Sequence, residues 1–600
     1  MTRFVILLSL WVNGYAYAQT KVLDVVYPRE GVLIGSNDSM FVFGCVKVAH
    51  QSLRINNMST PTHEDGAFIQ FLPITNVQKD SVFQMRFEIK TKDCTIVRYH
   101  RVRIPLLPRP MDSDIPQIDS LSLKPSRVYR LQSGDDIPIA CRATPHASVE
   151  FTIIDTTGKI IDGPYPMAEY ETDRMDDFPN AVYGEDRDTR PEPISGMYSA
   201  TYRLCEGISY QRSRVAFRVE KKKKSVTSVA RGFIDLWPKH ERLVAELNGP
   251  YHQPRTMPGQ SFYYFLQGGL RILIDGSIGS WRRLRFAENH SAWVSEDELT
   301  YAAPGTPVPA STIPVIRVRR DERTSVIKLT MSEKLPYRVE QISPVMFKLF
   351  VYGGKADTDW IRFETEDPDI AQIHWSQPER DVFCVTVSLH SPLSWGYEVR
   401  YESSNLVWRI YHKPKQTSLK GLRICIDPGH SKDPGSVGPR RTTEKQANVE
   451  IAQWLKELLI ADGAEVLMTH EDTTKGLTLY ERVQFADANN CDLFVSIHHN
   501  ALPDGVNPLR SNFGHSVIYY HPHSRLLGEK ILESLVNKVK LPNYGVFQGN
   551  IAVVRNSRMP AVLVENAFIM LPDQEKKIRD PKFQQTCAEA IRDGLRQFMK

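Results

Sequence analysis

Toward the C-terminus of this 600-residue chain, three short apolar runs each end in a side chain able to do chemistry. "LRICIDPGH" stops at His430, "DLFVSIHHN" reaches His498 and His499, and "PAVLVENAF" delivers Glu565. A buried strand that ends in an imidazole or carboxylate must find that group a partner, and three such endings are most simply satisfied by one shared site. Two imidazoles converging on a point invite a metal, and imidazole with carboxylate is the donor set of a hydrolytic zinc centre that keeps one position for water. Pro428 and Gly429 restrict the turn before His430, which aims the ring at a fixed point. The remaining donor is sought on the helix predicted in "TTEKQANVEIAQWLKELL", which Thr442 or Thr443 would cap. Glu444, Ala447, Ile451, Leu455 and Leu458 share the stripe turned toward the sheet, whereas Glu450 and Glu457 share a face with Gln446 and Gln453. Glu444 is therefore the inward carboxylate, and a buried acid there calls for a cation.

The elements that must position these groups alternate. Strands are predicted at "LRICI", "AEVLMT", "DLFVSI", "HSVIYY" and "AVLV", and helices near Lys445 to Asp462, Thr478 to Asn489, Leu526 to Val539 and Phe583 to Phe598. This is the pattern of an open α/β sheet with helices on its faces, whose ligands gather beyond the carboxyl ends of the strands. Strand alternation does not separate His498 from His499 when both faces are buried. His470, His515, His521 and His523 read as surface or loop residues, and Glu481 with Arg482 as an exposed charge pair.

Everything upstream reads as all-β. Arg3, the apolar stretch Phe4 to Val12 and Ala16-Tyr17-Ala18 have the order of a cleaved export signal, so the mature chain is expected to start near Gln19, in the periplasm or otherwise outside the cytoplasm. No later apolar run approaches the ~18 residues needed to span a bilayer. A net charge of +5 argues against nucleic acid as a partner, and Lys221 to Lys224 reads as a solvated linker. Cys45 with Cys94 and Cys141 with Cys205 are spaced to staple opposite strands of small sandwiches, whereas Cys425, Cys491 and Cys587 read as buried apolar residues.

Several stretches resemble known modules. Residues 19–108 and 109–222 resemble immunoglobulin-like or fibronectin-like sandwiches. Residues 223–310, with Trp281 and Ala292-Trp293-Val294, resemble the bacterial Src-homology-3-like barrel. Residues 311–416 resemble the AMIN-type module that often precedes cell-wall amidase domains. "IDPGHSKDPGSVG", "TTEKQANVEIA", "LYERVQFADANNCDLFVSIHHNA", "SVIYY" and "VVRNSRMPAVLVENAF" together resemble the zinc-dependent N-acetylmuramoyl-L-alanine amidase catalytic domain of the Amidase_3 type, over 417–600. The resemblance implies Zn²⁺ held by His430, Glu444 and His498, Glu565 as the catalytic carboxylate, and cleavage of the amide between N-acetylmuramic acid and L-alanine in peptidoglycan, for wall remodelling or cell separation. His498 occupies the motif position; His499 would line the substrate groove or support a neighbouring group. Arg555 and Asn556 would either contact substrate or serve structure. Envelope proteins would dock through the N-terminal β modules. A zinc peptidase acting on another stem-peptide amide, or an inactive wall-binding scaffold, are the alternatives. Some relatives block the zinc with a long helical insertion after the second histidine motif. Asn500 to Gly514 is short and rich in turn formers, so the cleft is expected to be open without an activator.

Overall fold

A computed structural model describes residues 22–36, 38–75, 81–105, 111–172, 194–238, 242–474, 476–510 and 512–600; the expected export signal lies outside them. Among the described residues, no helix is long and apolar enough to cross a membrane. Up to His412 the chain is built from β-sheets. In the first unit, the sheet of Leu23–Tyr27, Ser39–Val46 and Ala67–Pro73 faces a four-stranded sheet across a core of Met40, Val42, Phe68, Met85 and Phe87. The second unit also pairs two sheets. Its Lys221 to Lys224 run is the turn joining Arg214–Lys221 to Lys224–Val229, a hairpin and not a linker. Burial of Val215, Phe217 and Val219, alternating with Ala216, Arg218 and Glu220, seats the first of these strands in the core up to the turn.

The next sheet crosses from one unit to another: Tyr129–Leu131 pairs in parallel with Ile234–Leu236 and antiparallel with the end of Arg271–Ile278. Trp293, within this sheet, is buried against the second unit's core. Residues 311–412 form five- and four-stranded sheets around Phe347, Leu349, Phe383 and Trp408.

All eight cysteines are free, which corrects the expected bridges. The Cys45 thiol faces Arg440 Nη1 at 2.7 Å, whereas Cys94 sits exposed in a turn beside Thr91. Cys141 packs into the apolar core while the Cys205 thiol lies 3.9 Å from Asp162 Oδ2. Each pair thus points at different surroundings, where spacing alone had suggested a meeting.

The C-terminal domain carries β1 (Arg423–Pro428), α1 (Glu444–Ala461), β2 (Glu465–Met468), α2 (Leu479–Ala488), β3 (Leu493–Asn500), β4 (His515–Tyr519), α3 (Arg525–Val539), β5 (Asn543–Gln548), β6 (Ala561–Phe568), α4 (Pro572–Ile578) and α5 (Pro581–Met599). The sheet order is β2-β1-β3-β6-β4-β5. The first four strands run parallel, and β4 and β5 run the other way. The apolar face of α1, with Ala447, Ile451 and Leu455, packs on the sheet. Strands β1, β3 and β6 are buried along nearly their whole length, so only their ends can hold polar function.

The segment after β3 is not free. Leu502, Val506, Phe513, Phe568 and Met570 share an apolar cluster with Val26, Phe41, Phe43 and Ile69 of the first unit. Tyr27 donates from its hydroxyl to Asp504 at 2.8 Å, and Arg441 forks onto Asp24 at 2.6 and 2.7 Å. Cutting the chain to Leu422–Lys600 uncovers this face. Such a fragment is expected to bind an apolar dye several-fold more strongly per mole than the full chain; equal fluorescence would contradict the packing.

Candidate metal centre

His430 lies two residues past the end of β1, and its backbone takes the left-handed conformation with φ 62°. That is rare for a residue with a side chain and marks a held geometry. The turn is tied to β3, because the amide of Gly429 donates to the Ile497 carbonyl at 2.8 Å. Gly429 is needed for close approach: a Cβ there would stand 2.3 Å from the His498 ring. Gly435 has the same role on the other side, where a Cβ would stand 2.6 Å from His430 Cδ2 and 2.7 Å from Glu444 Oε2. Gly429→Ala is therefore expected to displace His498 and weaken affinity for a divalent metal ion about 10- to 100-fold, the loss typical of a disturbed supporting residue. Competition with a chromophoric chelator would measure this, and unchanged affinity would contradict it.

Glu444 opens α1, whose N-cap Thr443 accepts from the Gln446 amide. One carboxylate oxygen, Oε1, gathers His430 Nε2 at 3.0 Å, His498 Nδ1 at 2.9 Å and the His499 amide at 3.2 Å. The other, Oε2, accepts from the Ser436 amide at 2.8 Å. The second nitrogen of His430 already faces Asp433 Oδ1 at 2.7 Å. Burial works to raise the Glu444 carboxyl, but the two imidazoles outweigh it and hold the group well below the usual carboxylate range. Burial likewise opposes charge on His430, and the carboxylates of Glu444 and Asp433 overcome it, raising the imidazole.

These donors fit a divalent ion. One ligand atom from each of His430, Glu444 and His498 lies within 4.8 Å of the others. Tetrahedral zinc bonds of about 2.0–2.1 Å place ligand atoms roughly 3.3 Å apart, close to the distances found here. Two imidazole nitrogens aimed at one carboxylate oxygen need positive charge between them, and a cation supplies it without the protons. A second group, Asp367, Asp369 and His412, is also close enough to hold an ion. There, Arg320 Nη2 is 2.7 Å from Asp369 Oδ2, so a guanidinium already provides the charge.

Glu565 pairs in register with His498 across β3 and β6. Its carboxyl is buried, and Oε2 has no hydrogen-bond partner among the described residues. Burial, with the negative charge of Glu444 beside it, pushes the Glu565 carboxyl well above the usual range. A carboxyl so raised is suited to taking and returning a proton near neutral pH.

His499 does not line a groove. It is 2% exposed, its Nδ1 bonds Asn448 Oδ1 at 2.8 Å, and burial pushes its imidazole down to about 4. Asn448 in turn donates to the Gly429 carbonyl at 3.3 Å, which links β3, α1 and the turn after β1. Asn448 and Asp433 were not singled out in the sequence, although Asn448 lies one helical turn beyond Glu444. Arg482, expected on the surface, is buried and donates to Ser431 Oγ at 2.9 Å, with its Nη1 3.5 Å from the buried Asp427. His470, His515, His521 and His523 are also buried, contrary to their reading as surface residues.

Arg555 and Asn556 lie before the start of β6, at the end of the sheet opposite the metal-binding groups. Asn556 is buried and donates to Asp487 Oδ1 at 3.1 Å while accepting from the Arg558 amide at 3.0 Å, a structural role. Burial pushes the Asp487 carboxyl up to about 6, against the opposing effects of Asn556 and Arg558. A raised folded value favours the fold at low pH. Relative to Asp487→Asn, wild-type stability is expected to be greatest below about 4, to fall as pH rises from about 4 to 6, and to level off above. The change is at most about 3 kcal/mol at roughly 1.36 kcal/mol per unit. Denaturant unfolding across that range measures it; a pH-independent difference would contradict it.

Residues 424–597 match the family model described as N-acetylmuramoyl-L-alanine amidase. N-acetylmuramoyl-L-alanine amidase LytC of Bacillus subtilis (strain 168) is 35% identical over 175 residues, 29% of this chain and 35% of LytC. Uncharacterized protein YqiI of the same organism is 33% identical over 178 residues, 30% of this chain and 84% of YqiI. The solved catalytic domain of CwlV, an amidase from Bacillus (Paenibacillus) polymyxa var. colistinus, is 30% identical, with 30% of this chain and 97% of that domain covered and a TM-score of 0.28. This chain thus spans about a third of LytC.

Proposed function

The chain belongs to the N-acetylmuramoyl-L-alanine amidase family through residues 424–597, and from that premise we propose that it is a zinc hydrolase cleaving the amide between N-acetylmuramic acid and L-alanine in peptidoglycan. The observation that carries the reading is the convergence of His430 Nε2 and His498 Nδ1 on one oxygen of Glu444, with the buried Glu565 carboxyl, whose Oε2 has no partner among the described residues, on the neighbouring strand. His430, Glu444 and His498 would hold the ion. When bound, zinc supplies Lewis acidity toward the amide carbonyl and a water acidified to a pKa of about 7.

The chain's own residues do the rest. Glu565 takes the proton of the attacking water and returns it to the amide nitrogen, because an amine leaves only once protonated. A C–O bond forms and the C–N bond breaks, giving the lactyl carboxylate of the sugar and a free amine on L-alanine. Asp433 orients the His430 ring, and Asn448 with His499 fixes β3 against α1. We further propose export to the wall, and β units that act as sandwich, Src-homology-3-like and AMIN-like modules holding the enzyme on its polymer; the paired sheets of the first, second and fourth units support the sandwich and AMIN-like parts of this reading.

Mass spectrometry of digested peptidoglycan tests the reaction. Stem peptides with a free N-terminal L-alanine, together with peptide-free glycan, are expected. Glycan that keeps L-alanine while shorter peptides are released would instead identify a peptidase.

A further inference from the structure

A cavity of ≈ 680 Å³ lies where the third unit, the fourth unit and the C-terminal domain meet. Its size is that of a ligand site, yet none of His430, Glu444, His498 or Glu565 lines it. The helix α2 forms one wall: Tyr480, Val483, Gln484 and Asp487, spaced at three, four and seven residues, present one face to it. From Tyr480 to Asp487 the wall is about 10 Å long at 1.5 Å per residue. At its upper end the Leu477 carbonyl accepts from Ser431 Oγ at 2.7 Å, and Ser431 is the residue after His430. The cavity therefore runs from the amino-terminal end of the sheet toward the loop that carries the metal-binding histidine.

Its lining has a distinct chemistry. Tyr251, Tyr263 and Tyr480, one from α2 and two from the third unit, leave about two-fifths of their surface open, at 40%, 42% and 40%. Tyr251 and Tyr480 lie with centroids 6.0 Å apart. The Arg555 guanidinium sits 5.3 and 5.2 Å from the rings of Phe262 and Phe265. Arg555 itself is half-buried, and its Nε and Nη1, enclosed by protein, have no hydrogen-bond partner among the described residues, a cost that a shift of the side chain toward a ligand's acceptor would relieve. The open parts of Tyr251 and Tyr480 suit the C–H faces of pyranose rings and Gln484 suits the sugar rim, whereas the Tyr263 ring is already covered by the Arg338 guanidinium 4.1 Å away. A half-buried guanidinium that lines the cavity suits a carboxylate.

We propose that this cavity is a second, non-catalytic saccharide site that takes a strand of acylated amino sugars bearing carboxylates, with sugar faces on Tyr251 and Tyr480 and a carboxylate on Arg555. The naming of that strand as wall glycan rests on the amidase reading. A strand seated along α2 leads to the His430 loop, so the site would hold the polymer while successive amides are presented to the metal.

Calorimetric binding of peptide-free glycan strands to the full chain tests this. Wild type is expected to bind, and Tyr251→Ala with Tyr480→Ala to bind at least tenfold more weakly; both rings are exposed enough for the fold to persist, which thermal unfolding checks. Arg555→Gln is expected to weaken the carboxylate-bearing strand more than chitotetraose, which has no carboxylate. Trp360→Ala removes a 71% exposed ring that does not line the cavity and is expected to bind as wild type. Absence of glycan binding by wild type, unchanged binding by the tyrosine variant, or tyrosine-dependent binding of a free stem peptide in place of glycan would each overturn the proposal. Amide cleavage is assayed separately. Tyrosine-dependent glycan binding by a chain that cleaves no amide would sink the amidase reading alone, and cleavage without such binding would sink this site alone.

Discussion

Glu565→Gln is expected to lower kcat on muropeptides by about 10²- to 10⁴-fold, the usual worth of a positioned acid–base group, while zinc stays at one per chain. Glutamine keeps the shape of the side chain but neither takes nor returns a proton. Glu565 stands outside the group of three donors that can share an ion. Its buried Oε2 has no partner among the described residues, so little else in the fold depends on it. An active variant would contradict the role assigned to it. Loss of zinc in a folded variant would make Glu565 a ligand instead.

Glu444→Gln is expected to have a larger effect on the metal. The carboxylate is nearly enclosed, accepts from Ser436, and lies between two imidazoles. The amide keeps the volume and an oxygen but removes the negative charge that helps hold the ion. Disturbing an outer partner costs 10- to 100-fold in affinity, so loss of a direct donor is expected to exceed about 100-fold, with turnover falling in parallel. Dialysis against zinc buffers followed by elemental analysis measures this; wild-type affinity in Glu444→Gln would contradict the donor set.

The site was legible because its parts are local. His430, His498 and Glu565 end apolar runs, and β1, β3 and β6 place them at the carboxyl ends of adjacent parallel strands. Glu444 stood out by sharing a helical stripe with Ala447 and Ile451, and α1 buries that stripe. What depends on contacts between distant segments was not legible. His515, His521 and His523 look like loop residues in sequence, yet the fold encloses them, and burial drives the imidazoles of His515 and His521 down to about 4. Arg482 seemed an exposed partner of Glu481, but it reaches inward to Ser431 while Glu481 closes the N-terminus of α2. The edge strand β5 alternates poorly and is only half-buried, so no run marked it. Docking of Phe41 and Phe43 against Phe513 and Phe568 joins segments more than 400 residues apart, and no local pattern carries that information.

The openness expected of Asn500 to Gly514 changes meaning in the same way. Among its described residues the segment carries no helix across the site, and the His430 side chain remains 28% exposed. It is nonetheless fastened by the first unit through Asp504 and Phe513. The N-terminal β unit therefore helps shape the region beside the metal centre.

Anomalous diffraction from crystals of the full chain, recorded on both sides of the zinc absorption edge, tests the central claim most directly. One strong peak bonded to His430 Nε2, His498 Nδ1 and a Glu444 oxygen is expected. No peak there, or a peak only at Asp367, Asp369 and His412, would contradict it.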